Sequence, residues 1–174
     1  MKWRTKSGLA PRGGTVNEDG ARDRRAPKRV ATPPAIFVVA IVVGAIVNKA
    51  YGFGSGGGGP WSFGGAAVIV LGVALSFWSI QEFRHAKTSP NPKHRAQALV
   101  TEGPYRYSRN PLYMAAAIMH LGFGIAVNMP GIVFALIPAL YILRKSVILR
   151  EESDLEETFG EAYLSYKTRV RRWF

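Results

Sequence analysis

Cysteine is absent from all 174 residues, which excludes a disulfide framework, a thiolate metal centre and a cysteine nucleophile. Histidine is scarce: His85, His94 and His120 are too few and too scattered for a structural zinc site, and no metal is expected. Acidic side chains are also few, 11 against 23 Lys and Arg, giving a formal net charge of +12. Charge of either sign is missing from several long stretches. The mean hydropathy of +0.04 looks ordinary only because a basic arm and apolar runs cancel in the average. The length suits one domain.

What is present is a set of four apolar runs. The first, 35–53, carries one charge, Lys49, and at about 1.5 Å per residue it extends about 28 Å, close to the roughly 30 Å hydrocarbon core of a bilayer. Run 63–80 has no charge, nor has 112–127, while 131–149 is interrupted by Arg144 and Lys145. Only Asn128-Met129-Pro130 joins the last two, and Pro138 is expected to kink or shorten the second of them. The pattern predicts an all-α polytopic membrane protein of about four hydrophobic helices, the last two forming a short helical hairpin.

The positions of Lys and Arg orient it. Residues 1–34 hold nine of them and 81–110 hold six, whereas 54–62 and 128–130 hold none. Four crossings then place the N-terminal arm, the central loop and the C-terminus on the cytoplasmic side of an inner or plasma membrane. The arm reads as a disordered basic tail preceding a membrane domain at 35–174, and it is expected to rest on anionic lipid headgroups. Val47-Asn48-Lys49-Ala50 is a poor cleavage site for a signal peptide, which also counts against a twin-arginine reading of Arg24-Arg25. Trp3 is the one aromatic residue among the first 32. Without a stacking platform, nucleic acid is not an expected partner.

The glycine-rich stretch 52–59 matches a phosphate-cradling loop only in its glycine count, because no strand precedes it and no Lys-Ser/Thr follows. Gly64/Gly65 and Gly122/Gly124 are placed to let helices approach closely. His120, inside an apolar run, is expected to meet a helix carbonyl rather than to do chemistry.

Two polar stretches flank the final hairpin. In 97–113, Gly103-Pro104 marks a turn and Pro111 suits the first turn of a helix with Asn110 as N-cap. Such a helix end can hold the anionic or polar end of a ligand. Tyr105, Tyr107 and Tyr113 fit either stacking on a heterocycle or a membrane-interface belt. In 149–170, five Glu and one Asp fall between Arg150 and Glu161. Leu155, Phe159, Tyr163 and Tyr166 recur every three or four residues, which predicts a cytoplasmic amphipathic helix lying along the bilayer. Glu151-Glu152 follow directly on a membrane helix, where ionisable groups are functional candidates.

These stretches carry a resemblance. Leu99-Val-Thr-Glu-Gly-Pro-Tyr-Arg-Tyr-Ser-Arg-Asn-Pro-Leu-Tyr113, then Glu151-Glu-Ser-Asp-Leu155 and Phe159-Gly-Glu-Ala-Tyr-Leu-Ser-Tyr-Lys-Thr-Arg-Val170, resemble the integral-membrane methyltransferases grouped with isoprenylcysteine carboxyl methyltransferase and the phospholipid methyltransferases. The likeness runs from about Lys87 to the end. It implies S-adenosyl-L-methionine as cofactor, in a pocket built from 88–113 and 150–170. The acceptor it implies is a membrane lipid or amphiphilic small molecule entering between helices. By position, Gln97, Ala98, Leu99, Val100, Tyr105, Asn110, Pro111, Leu112 and Tyr113 would line the cofactor pocket, with Glu151 at the methionyl ammonium. Asn110 stands where the prenylcysteine enzymes usually carry His, so it can hydrogen-bond but cannot titrate.

The prenylcysteine enzymes also have a substrate-orienting Arg where this chain has Val147. Arg144 and Arg150, one turn to either side, are the expected replacements. A carboxylate acceptor needs only such an Arg, whereas an amine or hydroxyl must lose a proton, for which Glu152 is the nearest base. Two other classes stay open on the sequence: a nicotinamide-dependent membrane reductase, and a non-catalytic protein on the same scaffold.

Overall fold

The computed structural model describes residues 32–54, 59–88 and 98–173. The basic arm up to residue 31, the centre of the glycine-rich connection, and Gln97 lie outside the described residues. The elements in order are α1 (Pro33–Tyr51), α2 (Pro60–His85), a 3-10 turn (Gly103–Arg106), α3 (Pro111–Ala126), α4 (Pro130–Leu143), a π-helical segment (Arg144–Ile148), α5 (Leu149–Phe159) and α6 (Glu161–Arg169). No strand occurs among the described residues.

Each of the first four helices opens on proline in its first turn. The fixed φ of proline is already helical, and its missing N–H would have had no partner there. Helix α1 stops at Gly52, which takes a left-handed φ of 70° while its N–H bonds back to the Asn48 carbonyl. A second left-handed glycine, Gly160 at φ 51°, separates α5 from α6, so the C-terminal stretch is two short helices rather than one.

Two helices differ from expectation. Helix α2 runs on to His85 and so carries Glu82 on its last turn. Pro138 sits inside α4 without ending it, and the helical path continues through the π segment into α5. Three helical stretches are long and apolar enough to cross a bilayer: Pro33–Tyr51, Pro60–His85 and Pro130–Phe159. Helix α3, with 16 residues, reaches about 24 Å at about 1.5 Å per residue, short of the roughly 30 Å core. The outward faces are apolar, with Phe63 83 % exposed and Ile137 70 % exposed. Such faces suit contact with lipid.

Inside, the helices touch through small residues. A Cβ on Gly65 would overlap the Ala126 backbone, and one on Gly122 would lie 2.8 Å from the Gly65 carbonyl oxygen, so α2 and α3 pack backbone to backbone. Ser62 Oγ donates to the Ala126 carbonyl at 2.9 Å across the same pair. Helices α1 and α4 meet where Gly44 faces Gly131 and Ile132, and there the buried Asn48 Oδ1 accepts the Gly131 N–H at 3.1 Å. His120 Nε2 lies 2.9 Å from the Ile132 carbonyl oxygen. In lipid, where water cannot compete for helix contacts, close backbone approach and such polar bridges hold helices together. Ile36, Phe37, Ala139, Leu143, Val147 and Ile148 form the core beneath the site, with Tyr113 and Trp173 packed on it.

Gly64, next to Gly65 in sequence, has open space where a Cβ would go. Gly65→Ala should therefore cost at least the roughly 1–3 kcal/mol typical of overpacking, and Gly64→Ala should be near neutral. Thermal unfolding of both variants in detergent checks this contrast.

Candidate active site

The site is assembled from the ends of three elements. At its entrance Gly103 adopts φ 57°, and the direction a Cβ would take is filled by the Glu82 carboxylate, whose Cδ would be 2.7 Å away. Only glycine fits that turn with Glu82 lying over it. The turn delivers Tyr105 into the interior, 6 % exposed, where its ring meets Phe83 edge-on at 5.4 Å. The Tyr105 carbonyl accepts the Tyr166 hydroxyl at 2.7 Å, which ties the first polar stretch to α6. Burial, then Tyr166, Glu151 and Glu82, raise the Tyr105 hydroxyl far above the ordinary phenol range. Tyr105 is thus a neutral O–H group. Burial raises Tyr166 as well, with Tyr163 adding to it.

The next three residues are held by the end of the chain. Ser108 Oγ donates to the Arg172 carbonyl at 3.0 Å and accepts the Asn110 N–H at 3.2 Å. The Arg109 N–H donates to the Arg171 carbonyl at 3.0 Å. Asn110 occupies the N-cap position of α3 as expected, but its side chain makes no cap bond. It turns instead to the Arg172 carbonyl, at 3.5 Å. Pro111 is fully buried at the start of α3. One turn on, the Tyr113 hydroxyl lies 2.8 Å from both Glu151 oxygens, joining the two sequence signatures directly.

Glu152 follows Glu151 but, about 100° further around the helix, it faces elsewhere. It is 5 % exposed. Arg172 grips it with two parallel bonds, Nε to Oε1 at 2.9 Å and Nη2 to Oε2 at 2.7 Å. Arg109 Nη1 stands 3.2 Å from Oε1. The forked arginine geometry is the strongest way to hold a carboxylate, and it raises the Arg172 guanidinium above its ordinary range, hydrogen bonding to Glu152 being the main cause. A carboxylate clamped by two guanidiniums is a poor proton acceptor. Glu152, expected as a general base, has both of its oxygens engaged by arginine in this geometry.

The remaining expected residues lie apart from this cluster. Ala98, Leu99, Val100 and Leu112 are half-buried along the approach and on α3. Arg144 opens the π segment and lines a groove of ≈ 430 Å³ between α3 and α4, with Met114, Ile118, Leu136, Leu140 and Trp173. Arg150 is exposed on α5 and does not line that groove. Sequence reasoning missed Glu82, Arg109 and Arg172. Its one usable signal was that a buried Glu152 must find a cation in a basic protein.

Helices of bilayer length, with polar chemistry gathered where α2 ends, α3 begins and α5 follows the last apolar span, define a membrane protein with a site at one end of its bundle. The phospholipid methyltransferase family model matches residues 61–162, more than half of the chain. The chain belongs to that family and is a membrane methyltransferase. No curated protein and no solved structure gives a significant match. The family match contains the first signature and only the start of the second, since it ends at residue 162, within α6 and before Arg172.

Arg172→Ala leaves Glu152 facing Arg109 alone, and the expected cost is about 3 kcal/mol, the lower end for breaking a buried pair. Arg172→Lys should recover only part of it, since an ammonium cannot reproduce the fork. Melting temperatures of the two variants check the ranking.

Proposed function

We propose that this chain uses S-adenosyl-L-methionine to methylate a lipophilic or amphiphilic acceptor at the cytoplasmic face of the membrane. The observation that carries the reading is the Tyr113–Glu151 contact, because it brings together the two stretches that resemble a cofactor site. The residues fit such a cofactor by their chemistry. Glu151 offers a carboxylate for an ammonium, and Tyr105 and Tyr113 offer ring faces and hydroxyls. Ala98, Leu99, Val100, Asn110, Pro111 and Leu112 would be wall residues of the same pocket.

S-adenosyl-L-methionine, when bound, supplies a methyl group already activated on sulfonium. The protein then has to hold donor and nucleophile in line and keep water away. Tyr113 fixes the Glu151 carboxylate, and the Glu152 clamp fixes the α5 backbone that carries both glutamates. Tyr105 stays protonated and acts as a donor, never as a base. The α3–α4 groove suits the apolar part of the acceptor, and its wall residue Met114 directly follows Tyr113. Of the two candidate arginines, Arg144 lines this groove and is the one placed to aim a polar head. The basic arm would hold this face against anionic headgroups, and the distribution of Lys and Arg supports cytoplasmic termini and a multi-pass arrangement.

Glu151→Gln should abolish binding of S-adenosylhomocysteine to the detergent-purified protein. Tyr113→Phe should weaken it about tenfold or more, the usual worth of a hydrogen bond to a charged group. Calorimetric titration of both variants is the check, and an unchanged affinity in Glu151→Gln would remove the reading.

A further inference from the structure

The end of the bundle opposite the candidate active site is almost bare of charge. It is built from the last turn of α1, the start of α2 and the turn between α3 and α4, which meet where Gly54 crowds Asn128 and where Ser62 bonds to Ala126. Lys49 is the one charged residue between Pro33 and Gln81, and the stretch from Asn110 to Leu143 has no Asp, Glu, Lys or Arg. Lys49 is exposed in the last turn of α1. The neighbouring acids in sequence belong to the other end of the bundle: Glu82 lies on the last turn of α2, and Glu102 precedes the 3-10 turn. The last carbonyls of α1 offer Lys49 only the partial charge of a helix end. A full counter-anion has to come from outside the chain.

A cavity of ≈ 450 Å³ opens beside this lysine, within the roughly 300–1,000 Å³ of small-ligand pockets. Its lining divides in two. Asn48, Lys49 and Gly52 form a polar rim at the end of α1, while Ala45 and Ile46 line the side toward the middle of that helix. Ile46 and Val42 are both exposed and, at three and seven residues before Lys49, continue the helix face that carries it. A polar head with an apolar chain fits that division. Aromatic side chains mark the depth. Tyr51 and Phe53, stacked at 5.7 Å, and Trp61 are all exposed at this end. Such residues settle at the level of lipid headgroups, and a lysine there extends its ammonium into the same layer.

We propose that this cavity binds one anionic phospholipid of the leaflet opposite the active site, with its phosphate on Lys49 and an acyl chain along Ile46 and Val42. The missing carboxylates set the preference for an anionic head such as phosphatidylglycerol. The ammonium of phosphatidylethanolamine would find nothing at this end to pair with. Asn48, the neighbour of Lys49, holds the Gly131 N–H at 3.1 Å, so the bound lipid sits on the junction of α1 and α4. The site is independent of the methyltransferase reading, and a lipid held there is not the methyl acceptor.

Because the chain has no cysteine, Val42→Cys gives a single attachment point for a bimane fluorophore on the full chain. The labelled protein is placed in phosphatidylcholine vesicles with a guest lipid brominated on its acyl chains, either phosphatidylglycerol or phosphatidylethanolamine, and quenching by the two guests is compared. Phosphatidylglycerol should associate about fivefold more strongly, the usual worth of one lysine against anionic lipid. Lys49→Gln should remove this preference and Lys49→Arg should keep it. A label at Val70→Cys, on an exposed face of α2, should show none. Equal quenching by the two guests at position 42 overturns the proposal, as does a preference that survives Lys49→Gln or is equally large at Val70→Cys. Loss of the preference on adding soluble glycerol phosphate also overturns it, since the cavity would then hold a free anion rather than a lipid.

Discussion

Burying Glu152 is the constraint on which the site depends. A carboxylate removed from water needs compensating charge and filled hydrogen-bonding positions. The sequence meets that need with arginines from two distant places, Arg109 before α3 and Arg172 after α6. Satisfying one charge therefore draws the chain's end across the start of α3. Once there, the carbonyls of Arg171 and Arg172 take the N–H of Arg109 and the side chains of Ser108 and Asn110. The same closure sets Tyr113 against Glu151.

Below this polar end the helices are held by the absence of side chains as much as by their presence. Gly44, Gly65, Gly122 and Gly131 stand where a methyl group would meet backbone. Asn48 and His120 add polar bridges to α4 where water cannot reach. These contacts fix how far apart α2, α3 and α4 can sit, and so the width of the α3–α4 groove that ends at Arg144 and Trp173. Core packing carries the same geometry upward, since Tyr113 and Trp173 rest on the cluster built around Leu143 and Ile148.

Much of this was legible in the sequence for identifiable reasons. Apolar length and proline at helix starts are local signals, and they located the four hydrophobic helices to within a few residues. Gly103-Pro104 announced its turn for the same reason. Glycine spacing pointed correctly to Gly65, Gly122 and Gly124, but not to the idleness of Gly64, because facing is decided by the partner helix. The extension of α2 to His85 was hidden, since polar residues end an apolar run without ending a helix. Arg109 and Arg172 were invisible as site residues. Each looks like one more basic side chain in a chain carrying 23, and only the fold shows that both reach one buried carboxylate. The amide of Asn110 was misjudged for a similar reason: a carbonyl 62 residues away captured it.

The most direct test of this account is calorimetric binding of S-adenosylhomocysteine to the native, detergent-purified protein, with NADPH as the control. Saturable micromolar binding of S-adenosylhomocysteine, and none of NADPH, is the predicted result. Binding of NADPH without S-adenosylhomocysteine would contradict it, for the site around Tyr113 and Glu151 would then serve a different cofactor.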